Sequence, residues 1–564
     1  MSSATPTSGT SPVRRLSLAG VLRLRRPSEI WFKPALSSVA AVAPPSLLLL
    51  ALGRLDLAMY TMAGSLCALY AHNRPYAARA RTLAWVVLGM IGGLAVALVT
   101  ASLTRDAVVL VTVGALLAAV QKALCDATRV GPPGNVVLTF ISSAALFVPQ
   151  SLGQIPGHLA LASAAGVWAW LVGMAPAPIR PHGPERRATA QALNAAAGYA
   201  AAHGTGADED HAPARAAGYA AVQAAWQTLL ALPTTGARAA TRHALERLVV
   251  RAEVALAAPA DTDPERLRAW ARALRGHGRI PRTGDAPADT DELLGVDAEL
   301  ATRPAPLWRR LGPLAPIAAR TALGCALAGY ASLALGIGRP YWALVTAAAL
   351  YQANLTLTWS RAVQRVVGNL AGVLLFAAIA PLAHLGQALL VLCCLALNFG
   401  AEALITRNYW LGSVCVTPMA LLVTEFAGYQ ATGDLMTERA VDTVVGALVG
   451  FLAAVVVTNR RAGNRVEQAV TAADRARERA ARLLAEPAPA PGALEAARRG
   501  LALALTDLRA TADGAAGEWW GRALPQERVV LAERSGHRTL AEAVRRQAVR
   551  PDRGAGTRTE DVRP

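Results

Sequence analysis

Long apolar runs recur along this chain, at a length that leaves it few ways to fold. A helix rises 1.5 Å per residue, so roughly 20 apolar residues cross the hydrocarbon of a bilayer, about 30 Å thick. Runs near 35–52, 57–72, 83–103, 107–125, 134–149 and 157–175 reach or approach that length. A second series follows near 315–337, 341–357, 363–381, 384–401, 409–427 and 440–458. Twelve such runs predict an all-α, polytopic membrane protein.

The hydrophilic parts narrow the functional classes. The formal charge is +18 over 564 residues, but 43 of the 56 basic residues share residues 1–34, 176–314 and 459–564 with 30 acidic ones. No basic stripe interleaved with aromatics stands out, so a nucleic-acid partner is not expected. Only Lys33 and Lys122 are lysines, and neither follows a glycine, so a Gly-Lys-Ser/Thr phosphate loop is absent. Uphill transport would then draw on an ion gradient or a partner. The six cysteines all fall in or beside apolar runs, where they act as small buried hydrophobes, and their spacing matches no zinc or disulfide framework. Without HExxH, GxSxG or a paired nucleophile and base, no enzyme, metal site or cofactor is predicted. The N-terminal arginines lead into the first run without a cleavage site, which reads as an uncleaved first helix.

Loop charges set the orientation. Arg74, Arg79, Arg81, Lys122, Arg129, Arg361, Arg365 and Arg407 fall in loops after even-numbered runs. Arg54, Arg105, Arg339 and Arg439 fall in the opposite ones, mostly beside acids. The positive-inside rule places both termini and both hydrophilic segments in the cytoplasm of a cell-membrane protein. The halves also echo each other, at an offset of about 280 residues. Gly53-Arg54 with Thr61 matches Gly338-Arg339 with Thr346, and the GxxxG of Gly89 and Gly93 matches that of Gly368 and Gly372. Thr128-Arg129, Gly134 and Thr139 match Thr406-Arg407, Gly412 and Thr417. Six runs per half is an even number, so the repeats would be parallel.

The expected organisation is a basic cytoplasmic N-terminus (1–34), a first membrane half (35–175), a cytoplasmic helical segment (176–314), a second membrane half (315–458), a second helical segment (459–549) and a tail (550–564). Each helical segment alternates apolar and charged residues at helical spacing, broken by prolines and glycines, which predicts packed amphipathic bundles. The ends, 1–20 and 550–564, are expected to be disordered.

One stretch, YWALVTAAALYQANLTLTWSRAVQRVVGNLAGVLL at 341–375, goes from apolar to polar and back. Its aromatic pair Tyr341-Trp342, polar turn, and Arg361-Ala-Val-Gln-Arg365-Val-Val-Gly368-Asn-Leu-Ala-Gly372, with Tyr409-Trp410-Leu-Gly412 further on, resemble the fusaric acid resistance family. That family includes aromatic acid exporters and is similar in plan to the aluminium-activated malate channels of plants. The resemblance implies two membrane domains, each with a helical cytoplasmic domain, and export or conduction of organic anions, notably aromatic carboxylates. The first half departs from the pattern, with Asp56-Leu57 in place of Tyr341-Trp342 and Gly131-Pro132-Pro133 in place of the Tyr409 region.

A carboxylate crossing a membrane needs positive charge along a path that excludes lipid. Arginine suits this because it stays charged and grips a carboxylate with two parallel hydrogen bonds. Arg361 and Arg365 share one helix face; with Arg407 and Arg320, and with Arg79, Arg81 and Arg129 from the first half, they are expected to form a cytoplasmic anion vestibule around a wet passage between the halves. Gln352 and Asn354 are further candidates for that path, and Asp442 and Glu402 are candidates for proton coupling. The expected partners are a small organic anion and membrane lipid, with a homo-oligomer or an accessory subunit left open. The competing reading is a non-transporting membrane scaffold whose cytoplasmic bundles bind partners; it predicts a sealed apolar seam between the halves.

Overall fold

The computed structural model describes residues 16, 18–24, 31–203, 212–230, 237–276, 278–282, 311–352, 354–457, 462–490, 492–516 and 526–548. The expected disordered tail 550–564 and residues 1–15 lie outside them. The elements among the described residues are helices. In the first half they are α1 (Phe32–Ala51), α2 (Leu55–Leu69), α3 (Tyr76–Leu103), α4 (Ala107–Thr128), α5 (Val136–Leu146) and α6 (Leu152–Ile179). Four hydrophilic helices follow: α7 (Gly183–His203), α8 (Ala212–Leu230), α9 (Ala237–Ala257) and α10 (Pro264–Arg275). The second half holds α11 (Ala315–Ala334), α12 (Tyr341–Leu350), α13 (Leu355–Ala383), α14 (Gln387–Ile405), α15 (Tyr409–Ala427) and α16 (Thr432–Val456). Helices α17 (Ala462–Ala485), α18 (Ala493–Ala516) and α19 (Gln526–Ala548) close the chain.

Among the described residues nine helices are long and apolar enough to cross a bilayer, and three apolar ones, α2, α5 and α12, are shorter. The twelve apolar runs are therefore nine full-length helices and three short ones. Backbone that ends at membrane depth survives only where protein rather than lipid surrounds it. All ten residues of α12 are buried accordingly, as is every residue of Ala58–Ser65 in α2 except Met59.

Helices α1–α6 and α11–α16 form one compact unit. Inside it the halves meet along α4 with α11, α5 with α12, and α1 with α14. This seam is mainly apolar. Val111 fills the space a side chain on Gly329 would take, 2.5 Å from where its Cβ would stand. Phe140 stacks on Trp342 and Phe147 leans on Tyr341, both with centroids 5.7 Å apart. Polar contacts across it include Ser38 with Asn398, both buried, which exchange hydrogen bonds of 3.1 and 2.8 Å, and the hydroxyls of Thr112 and Tyr330, 2.6 Å apart.

Within the second half, α13 lies against α15 through the second GxxxG pair. A Cβ on Gly368 would stand 2.5 Å from the Trp410 carbonyl oxygen, and one on Gly372 2.7 Å from Thr417 Cβ. In the first-half pair only Gly93 makes such a contact, with Gln121 and Ser142.

Helices α7–α10 and α17–α19 form the other compact unit. Leu193, Trp226 and Leu248 centre one core. Leu501, Leu505 and Leu508 centre a second, against which Tyr219 of α8 packs. The two hydrophilic segments, separate in the sequence reading, thus share one body. Arg498 of α18 joins them by an ion pair of 2.7 Å with Glu253 of α9, while Arg499 lies 3.8 Å over the Trp226 ring.

Candidate functional site

The seven arginines singled out from the sequence divide into three groups. Arg81, Arg129 and Arg407 are exposed. Arg79 and Arg320 are buried, but their guanidinium donors go to backbone carbonyls. Arg79 donates to Ala71 O and Gly173 O, each at 3.0 Å, and to His72 O. Arg320 donates twice to Val457 O, at 3.0 and 2.7 Å. The last carbonyls of a helix lack intrahelical partners, and a guanidinium near a helix C-terminus satisfies them. Only Arg361 and Arg365 converge, both on Tyr409. Arg361 lies 3.9 Å over its ring, and Arg365 donates to its hydroxyl at 2.6 Å. The arrangement expected around a wet passage between the halves is corrected accordingly: the seam is apolar and the converging arginines belong to the second half alone.

The polar turn in 341–375 has a local explanation. Asn354 is the N-cap of α13, its side chain accepting from Leu357 N at 2.9 Å. Gln352 donates from its backbone to Thr358 Oγ1 at 3.2 Å. Both residues serve the break between a short helix and a long one, where backbone groups need partners.

The structure also reveals a buried polar column in the second half that the sequence did not announce. Arg339 at the start of α12 pairs with Glu438 of α16 at 3.5 Å. One residue on, Arg439 is 2% exposed and lies 4.2 Å over the ring of buried Trp342. Asp442, fully buried, accepts from Ser332 Oγ at 2.6 Å. Asn369 of α13 then bridges α15 and α16, donating to Thr443 at 3.1 Å and accepting from Thr417 at 2.9 Å. Arg365 and Tyr409 follow. Glu402 stands apart, half-buried on α14.

At the far end of the column, residues 18–24 lie against α13 and α15. Gln364 and Asn408 both donate to Val21 O, at 2.9 and 3.1 Å, and Trp410 donates to Leu22 O at 3.2 Å. Residues 18–20, expected to be disordered, instead enter a turn in which Val21 N donates to Leu18 O at 3.3 Å.

The equivalent region of the first half holds a cluster of neutral polar side chains. Gln121 donates to Ser142 at 3.0 Å and accepts from Thr139 at 2.9 Å, while Asn135 donates to Thr139 at 3.2 Å.

Arg439 was assigned to a loop by the sequence reading. A signal was present for Arg439. Gly433-Asp434 is a helix start, so Arg439 falls on the second turn and shares a face with Asp442 three residues on.

These features define the class: a polytopic, all-helical membrane protein with a hydrophilic helical unit. Residues 326–453 match the family model described as fusaric acid resistance protein-like. The matched stretch contains the column from Ser332 to Thr443. A similar protein is the uncharacterized membrane protein YvaC of Bacillus subtilis (strain 168), 34% identical over 141 residues. That match covers 25% of this chain and 22% of the relative. No solved structure matches.

Proposed function

We propose that the protein is a membrane transporter that exports organic anions, aromatic carboxylates among them, and that the second membrane half carries their route. One observation carries this reading. A column of buried polar and cationic side chains runs through that half from Arg339 to Arg361, and intramembrane charge is costly enough to be kept mainly where it serves a path. The fusaric acid resistance protein-like match over the same residues supports it. Both termini would face the cytoplasm, so that Arg361 and Arg365 lie toward the cytoplasmic mouth. Asp442 is the better placed of the two acids for proton coupling, being in the column.

The scaffold reading draws on the apolar seam between the halves and leaves the column without a task. Intracellular accumulation of labelled aromatic carboxylates separates the two. In a host lacking the protein, reintroducing the wild-type chain lowers accumulation of at least one acid of a benzoate and hydroxybenzoate panel. Equal accumulation across the panel would reject export and favour the scaffold.

A further inference from the structure

Residues 18–24 contain a turn but neither helix nor strand, and they are tied to the second half near the starts of α13 and α15. The carbonyl oxygen of Val21 accepts from Gln364 of α13 at 2.9 Å and from Asn408, the N-cap of α15, at 3.1 Å. One backbone atom thus bridges the two helices. Asn408 also donates to Arg23 O at 3.1 Å, and Trp410 donates to Leu22 O at 3.2 Å. Val21 is buried, whereas Leu18, Leu22 and Leu24 are exposed.

Each of these donors adjoins the arginines that meet on Tyr409. Gln364 lies three residues after Arg361 and next to Arg365, so the three share one face of α13. Asn408 and Trp410 flank Tyr409, whose ring lies under Arg361 at 3.9 Å and whose hydroxyl accepts from Arg365 at 2.6 Å. The segment brings no counter-charge to this cluster, since Glu29 is the first acidic residue of the chain and Arg23 adds a charge of the same sign. It is held by neutral carbonyl acceptors, each bond of modest net strength, and by one buried valine. A segment held so lightly opens at far less cost than unfolding the helices beneath it.

We propose that residues 18–24 are an autoinhibitory strap: with the Val21 carbonyl bridging α13 and α15 it closes the cytoplasmic mouth beside Arg361 and Arg365, and its release opens that mouth. This rests on the reading that the second half carries anions. The sign of the effect separates a strap from a structural brace. A brace keeps α13 against α15, so that its loss slows export. Loss of a strap speeds export.

The test is efflux of labelled benzoate and hydroxybenzoates from preloaded cells that produce the full chain. Two variants release the strap. Val21→Lys places a charge in its buried contact, and Gln364→Leu with Trp410→Phe removes two of its donors while leaving the Asn408 cap. Each raises initial efflux at least threefold over wild type at equal protein in the membrane. A third chain holds the strap shut: Leu22→Cys with Trp410→Cys, the native cysteines replaced, is joined by a short membrane-permeant bis-methanethiosulfonate reagent. Joining lowers its efflux at least fivefold, and a reductant restores it. Monodispersity by gel filtration qualifies each variant, and if Gln364→Leu with Trp410→Phe does not fold, Val21→Lys and the joined chain decide. Efflux that stays unchanged or falls on release, or that survives joining, overturns the strap. If wild-type protein exports and the folded release variants export no faster, the strap falls while export stands; if neither wild type nor the release variants export any acid, both fall.

Discussion

Arg320 and Arg439 are buried to nearly the same degree, 4% and 2% exposed, and differ in what their donors meet. Arg320 reaches a helix end and satisfies the Val457 carbonyl, whereas Arg439 lies within a helix, where neighbouring carbonyls are already taken. Residue type and local hydropathy do not separate these fates, because the carbonyl that Arg320 finds is 137 residues away. The hydrophilic unit offers a second residue-scale case in His537. Burial, with Arg215 adding to it, pulls its imidazole down to about 4 from 6.5, and its ring rests 5.1 Å from that of Tyr219. The same burial pushes the Tyr219 hydroxyl up. Between pH 6.5 and 4 the unfolded chain takes up a proton that the folded unit resists. Stability is therefore full above about pH 6.5 and falls toward pH 4, by at most about 1.4 kcal/mol per pH unit from this one group. His537→Phe, which keeps a ring against Tyr219, should flatten the thermal midpoint over that window; an acid limb as steep as the wild type's would remove His537 from the account.

At the scale of elements, hydropathy located the membrane helices, because a bilayer demands about 20 apolar residues per crossing whatever the fold. It did not separate α2, α5 and α12 from the full-length helices, since a short helix wrapped in protein is as apolar as one of full length. Only the neighbours reveal the difference, and for α12 these include α16, where a Cβ on Gly446 would stand 2.5 Å from the Ala343 carbonyl oxygen. The second GxxxG pair was legible because small residues four apart allow close helix approach in lipid. Its partner was not, since nothing in 368–372 names α15. Gly368→Ala would drive a Cβ against backbone at Trp410 and should cost about 1–3 kcal/mol, seen as a lower unfolding temperature in detergent. Gly89→Ala, with nothing within 4 Å of its would-be Cβ, should leave that temperature unchanged; equal effects would discount the α13–α15 contact.

At the scale of the molecule, the hydrophilic unit constrains the crossing count. Helices α7–α10 and α17–α19 belong to one body, so the chain between them crosses the bilayer an even number of times. The second half has five full-length spans, an odd number. The short α12, with the polar turn after it, therefore supplies the sixth passage. Cysteine probes introduced as Gln191→Cys and Glu478→Cys, with the native cysteines replaced, should react with an impermeant thiol reagent from the same face of the membrane. Labelling from opposite faces would break the count.

The sequence by itself determined that this chain lives in a bilayer as helices, with hydrophilic helical segments between and after two apolar series, because hydrocarbon thickness and backbone hydrogen bonding are local demands that each run answers alone. It also marked Arg361, Arg365 and Asp442 as charges in unusual surroundings. Tertiary structure alone decided which charges meet. Arg79 and Arg320 were claimed by distant carbonyls, Arg439 was brought over Trp342, and Asn369 was set between Thr417 and Thr443. Those outcomes depend on which helices become neighbours, a competition among partners tens to hundreds of residues apart that composition and periodicity do not encode.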